Sequence, residues 1–138
     1  MEITILQKGL MDCGPTCLLS VARFHGLNPD IKLLRKTAAT NWTGTTLQGL
    51  IETAKILGFE ANAVWANLEV IRHLKLPLIA HIKVWGILPH YLVIYKINTH
   101  SIEVMDPGLG KMRTLSIERF EIRWTKALIA FQNVDEFL

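Results

Sequence analysis

The sequence predicts an α+β domain, with helices first and an antiparallel sheet after them. Three observations predict it. The first half repeats apolar residues at helical spacing. The second half holds short β-rich runs separated by turn residues. The composition is that of a folded chain: 138 residues, 50% hydrophobic and 20% charged, enough for one compact domain with a single core. Helices followed by strands suggest two packed layers, the N-terminal helices lying on a C-terminal sheet.

Gly14-Pro15 opens the first helix, because Pro15 suits a first turn in which its missing N–H costs nothing. Cys17, Leu18, Val21, Ala22, Phe24 and His25 follow on one face, and Gly26 is a stop signal. A second short helix is expected from Pro29 to about Ala38, started by Asn28 or Asp30. The stretch NWTGTT reads as a turn-like loop. Thr45 or Thr46 then caps a third helix, in which Leu47, Leu50, Ile51, Ala54 and Leu57 recur until Gly58 ends it.

From Phe59 to Trp65 the pattern alternates roughly, as in a strand, and Asn67 to Leu74 reads as a short helix. Leu78 to Trp85 and Tyr91 to Ile97 are β-rich runs separated by GILP, and Ser101 to Met105 follows through the turn INTHS. Asp106-Pro107-Gly108 turns the chain toward a strand near Met112 to Leu115. Ser116 to Phe120 looks like a capped helical turn, and Lys126 to Phe131 like a last strand. No repeat, low-complexity tract or linker divides the chain, so residues 1–138 read as a single domain.

A net charge of +3 is mild. No Lys/Arg stripe asks for nucleic acid or a membrane surface. The N-terminus MEITILQKG carries an acid at position 2 and no apolar core, so it does not read as a secretory signal. No run of about 18 apolar residues occurs, so no membrane insertion is expected within this chain. Two cysteines make no disulfide framework. The expected setting is the reducing cytosol, with both thiols free.

Both cysteines fall in QKGLMDCGPTCL, residues 7–18. A structural zinc site needs four ligands, usually in paired short-spaced motifs. The five histidines, at 25, 73, 81, 90 and 100, supply no second close pair. A Cys13–Cys17 disulfide would need special geometry at a helix start. Cys17 reads as a small buried apolar residue. Cys13 precedes Gly14-Pro15, so the N-terminal end of the helix points at its sulfur and favours the thiolate, the nucleophilic form. Gly14 leaves room for a substrate. On this stretch alone, a catalytic thiol and a buried structural cysteine both remain open. Gln7 adds a side-chain amide which, with the Cys13 N–H, could supply the two donors that an acyl-transfer oxyanion needs.

A nucleophile needs a base and an orienting group from elsewhere. His25 falls near a helix end, where it could cap. His73 and His100 sit beside polar residues, and His81 lies in an apolar run as a core histidine. His90 opens the strand HYLVIYKI, and a strand mouth can present a side chain to a cleft. Asp106 closes the next strand. If the two strands form a hairpin with Ile97 opposite Ser101, then Leu92 faces Asp106, two residues from His90. A Cys13–His90–Asp106 constellation follows.

The same motifs resemble a known family. Gln7, Asp12, Cys13, Gly14, Cys17 and Leu18 match the pattern Q-x4-D-C-G-x-x-C-L. GTTLQGLIETAKILGFEANAV, PHYLVIYKI and VMDPGLG resemble its later segments, in the same order. The family is that of the N-terminal cysteine peptidase domains of peptidase-containing ABC transporters, the double-glycine leader peptidases that process bacteriocins. The resemblance spans nearly the whole chain. It implies a papain-like fold with Cys13 as nucleophile, His90 as base and acid, Asp106 orienting His90, and Gln7 in the oxyanion hole. It implies amide hydrolysis after two small residues at the end of a leader peptide, with no cofactor and no metal. It also implies a leader-bearing precursor as partner, together with the transmembrane and ATP-binding domains of the same transporter, on the cytoplasmic face of a bacterial membrane. Some relatives lack the catalytic residues and only bind the leader; that non-cleaving role is the alternative. Trp42, Trp85, Ile87 and Leu88, in expected loops, are candidates for contact surface.

Overall fold

Small polar side chains set where the helices begin. The computed structural model describes residues 1–41 and 44–134. Its first helix, α1, spans Cys13–Phe24. Asp30 then accepts a hydrogen bond from the Lys32 N–H and starts α2, Ile31–Thr37. Thr46 does the same for Gly49 and starts α3, Leu47–Ile56. Each satisfies a donor that a helix start would leave bare. Gly26 and Gly58 adopt φ of +87° and +100° just past α1 and α3, the left-handed stop that glycine takes without a steric penalty. His25 is the C-cap of α1.

The rest of the chain is a six-stranded antiparallel sheet interrupted by two short helices. In chain order the elements are β1 (Asn62–Trp65), α4 (Leu68–Ile71), β2 (Leu78–Val84), β3 (Leu88–Ile97), β4 (Ser101–Asp106), β5 (Lys111–Ser116), α5 (Ile117–Arg123) and β6 (Trp124–Ala130). Their order across the sheet is β1-β6-β2-β3-β4-β5. Asn67 and Ser116 cap α4 and α5.

Helices cover both faces of the sheet, which corrects the expectation of two layers. Ile79, Tyr91, Val93, Met105 and Ile129 pack with α1, α2 and α3. Their strand neighbours Leu78, Ala80, Leu92, Ile94, Val104, Leu128 and Ala130 pack with Ile71, Ile117 and Phe120 of α4 and α5. Successive strand residues point to opposite faces, so a sheet buried on both sides needs apolar residues at odd and even positions alike. That is why LVI in β3 and ALIA in β6 read as unbroken apolar runs. Each fully buried Leu or Ile here contributes about 1.5–3 kcal/mol of transfer free energy.

Two details of the central hairpins differ from expectation. Val84 pairs with Leu88, so the β2–β3 connection is Trp85 to Ile87 rather than GILP. Trp85 and Gly86 both have positive φ, +53° and +73°, the conformation that matches a tight turn to twisted strands. The strand therefore starts before Pro89, and His90 lies within it, not at its mouth. In the β3–β4 hairpin Ile97 faces Ile102, not Ser101. A bulge between Ile94 and Lys96 absorbs the extra residue, and Val93 then pairs with Met105. Beyond the bulge the pairing is the expected one, so Asp106 still arrives beside His90.

Candidate active site

Cys13 is the first residue of α1 and is 9% exposed, at the edge of the core cluster around α1–α3. A Cβ on Gly14 would lie 3.2 Å from Leu50 and from Thr45, so the glycine lets the first turn of α1 close against α3. Asp12 occupies the N-cap position without capping. Its buried carboxylate turns back to accept from the Gly9 N–H at 3.1 Å and from Arg35 Nε at 2.7 Å. Cys17 is fully buried, and burial pushes its thiol up well above the ordinary range. Both cysteines are free.

His90 of β3 donates through Nε2 to the Asp106 carboxylate Oδ1 at 3.0 Å, which leaves Nδ1 for a second partner. Burial disfavours the imidazolium. Hydrogen bonding to Asp106, then hydrogen bonding to and the charge of Cys13, outweigh it and push His90 up to about 9. Asp106 is the reverse case. Burial raises it, but the bond and charge of His90, the Gly108 N–H and Arg113 hold the carboxyl below its usual value. Gly108 N–H reaches Oδ1 at 2.9 Å, and Arg113 Nη1 reaches Oδ2 at 3.1 Å.

Cys13, His90 and Asp106 line one cavity of about 730 Å³. Its walls are largely apolar, with Leu88, Leu92, Leu115 and Phe120 among them, and Trp85 stands at its rim, 83% exposed. Ile87 and Leu88 are also exposed; Trp42 lies outside the described residues. Gln7 does not line the cavity. Its Nε2 donates to the Gly9 and Leu10 carbonyls at 2.8 and 3.1 Å, and its Oε1 is buried without a partner among the described residues. Its backbone N–H donates to the Pro107 carbonyl at 2.9 Å, which ties this loop to the turn after Asp106.

His81 is a half-buried residue of the cavity wall rather than a core histidine. Its Nδ1 bonds Thr125 Oγ1 at 3.0 Å, its ring packs on Tyr91, and burial lowers its proton affinity. His73 and His100 are exposed, as expected. Sequence reasoning did not find Arg113, Gly108 or Tyr91. Tyr91, whose hydroxyl donates to the Thr45 carbonyl at 2.9 Å, pins the loop before α3 to the sheet. The only sequence signal for it is its place beside His90.

A thiol at a helix start facing a carboxylate-bonded imidazole, between helices and an antiparallel sheet, defines a class: cysteine peptidases of papain-like architecture. The comparisons with known proteins narrow that class. The Peptidase C39 family matches residues 2–136, and the chain belongs to that family. It is 35% identical over 131 residues to the lactococcin-G-processing and transport ATP-binding protein LagD of Lactococcus lactis, covering 94% of this chain and 18% of that protein. It is 37% identical to the transport/processing ATP-binding protein ComA of Streptococcus pneumoniae, covering 86% and 17%. The chain thus spans less than a fifth of these relatives. Among solved structures, the peptidase domain of Streptococcus ComA superposes with a TM-score of 0.86 at 37% identity, covering 93% of this chain and 97% of that one. A double glycine motif protease from an AMS/PCAT transporter, solved with its leader peptide, shares the fold with a TM-score of 0.85 at 19% identity, covering 93% and 89%. Among the described residues no helix is long and apolar enough to cross a membrane.

Proposed function

We propose that this peptidase domain removes the leader from a precursor peptide by cutting after a double-glycine-type motif, through a thioester on Cys13. The observation that carries the reading is the shared cavity in which His90 is bonded to Asp106 and engages Cys13. The Cys13 thiolate attacks the scissile carbonyl carbon, and the carbonyl oxygen becomes an oxyanion. The Cys13 N–H is one of the donors that a helix start leaves without an intrahelical partner, and it is placed to receive that oxygen. Gln7 is our candidate for the second donor; because it does not line the cavity and its Nε2 is engaged by the Gly9 and Leu10 carbonyls, it serves only if its amide turns toward the cavity and releases one of those bonds.

The His90 imidazolium then protonates the leaving amine as the C–N bond breaks. His90, now neutral, takes a proton from water as the water attacks the thioester; the C–S bond breaks, the Cys13 thiolate returns beside the imidazolium, and the leader leaves as a carboxylic acid that gives its proton to solvent. Asp106 keeps the ring oriented throughout. The relatives' names, which include transport and ATP-binding, and the small share of their length that this chain covers support a place within a transporter that carries an ATP-binding domain; transmembrane domains as partners and a position on the cytoplasmic face belong to the proposal. The chemistry calls for no cofactor or metal.

The test is incubation with a small panel of double-glycine precursors, read by mass. Cleavage immediately after the small-residue pair, absent in Cys13→Ala, supports the reading. Binding without product after long incubation overturns it in favour of a leader-holding module.

A further inference from the structure

We propose that Arg113 is a positioning residue of this site: it grips the second oxygen of Asp106 so that the first stays on His90. The placement follows from strand register. Val104 pairs with Arg113, and Asp106 pairs with Lys111. Val104 and Asp106 share a face, so Arg113 lies diagonally across from Asp106 on that same face, within reach of a long side chain. Its Nη1 meets Oδ2 at 3.1 Å, while Oδ1 takes His90 and the Gly108 N–H. With only one oxygen held, a carboxylate can swivel about its terminal torsion, which is broad and shallow. With both held, its plane is fixed, and the imidazole is fixed with it.

Arg113 also balances charge. In the ion-pair state the site holds the Cys13 thiolate, the His90 imidazolium, Asp106 and Arg113, two anions and two cations. The other titratable or charged side chains around the site are Asp12 with its partner Arg35, Cys17, whose thiol feels the charges of Cys13 and Asp106, Lys83 of β2 and Lys111 of β5, and His81, Tyr91 and Arg123, which line the cavity with them. Removing the guanidinium leaves an excess negative charge. Proton affinity then rises at His90, so the basic limb of the pH–rate profile moves upward.

This inference rests on the peptidase reading, and the experiment separates the two. kcat/KM across pH is measured for the unaltered chain, Arg113→Gln and Arg113→Lys, and the His90 ring is titrated by NMR with labelled histidine. In Arg113→Gln the basic limb and the His90 titration rise by roughly half to one unit, and kcat falls on the order of ten-fold from looser geometry. Arg113→Lys keeps the charge, so its basic limb returns to its original place. Arg113 is on the edge strand with a 31% exposed side chain, so both variants are expected to fold, and Arg113→Met is the second neutral variant. If kcat and thermal stability fall together with no movement of the basic limb or of the His90 titration, Arg113 is merely structural and the proposal is overturned. If the unaltered chain cleaves nothing, the peptidase reading fails, while the NMR titration still decides whether Arg113 acts on His90.

Discussion

Replacing Asp106 by asparagine probes the site most directly, because it removes one charge and keeps the shape. His90 stands at about 9 against an ordinary value of 6.5. At about 1.4 kcal/mol per unit, the folded site prefers the charged ring by roughly 3 to 4 kcal/mol. Burial works against that preference, so the favourable contributions exceed the net. They come first from the hydrogen bond to Asp106, then from Cys13. An asparagine there would still offer an oxygen but no charge, leaving Cys13 alone to oppose burial. The basic limb of kcat/KM should therefore move down by about one to two units, to between roughly 7 and 8. The direction is opposite to that expected for Arg113→Gln. The assay is initial-rate cleavage of a double-glycine precursor across roughly pH 5 to 10, wide enough to hold both limbs, with thermal melts confirming the fold. A basic limb that stays at about 9 in the asparagine variant would refute the claim that Asp106 holds His90 protonated.

Other outcomes follow from the same geometry. Iodoacetamide should modify Cys13 at least about a hundred-fold faster than Cys17 near neutral pH, since Cys17 is fully buried with its thiol pushed up; mapping the labelled peptides gives the ratio. His90 is raised on folding, so its stabilisation is complete below about pH 6.5 and is lost as pH rises through about 9; urea melts should show the fall, reduced in Asp106→Asn. Gly108→Ala would set a methyl 3.2 Å from Asp106 Oδ1 and 3.6 Å from His90 Cε1, so kcat should drop by about ten-fold or more with a small change in melting temperature. Tyr91→Phe removes the bond to the Thr45 carbonyl and should cost about 1 kcal/mol in denaturant unfolding.

Much of this was legible in the sequence, and the reasons are local. Caps and glycine stops act within one helical turn, so Asp30, Thr46, Asn67, Ser116, Gly26 and Gly58 announce their helices without knowledge of the fold. The approach of Asp106 to His90 was legible because a hairpin converts sequence distance into register. One wrong pair, Ile97 with Ser101, did no harm because the bulge restores register before the site. What was hidden depends on layers and faces. Apolar runs such as LVI fit burial on both faces, but nothing in them tells which helices cover the far face, or that His81 reaches the cavity wall. Arg113 was hidden for a related reason. Its contact with Asp106 is diagonal across β4 and β5, and a diagonal contact is visible only once two registers and the shared face are known together. Among candidate groups, the ones a sequence conceals are those that act through a second residue. Cys13, His90 and Asp106 carry chemistry that residue type alone suggests. An arginine on an edge strand suggests nothing until the carboxylate it holds is found to be the one that holds the histidine.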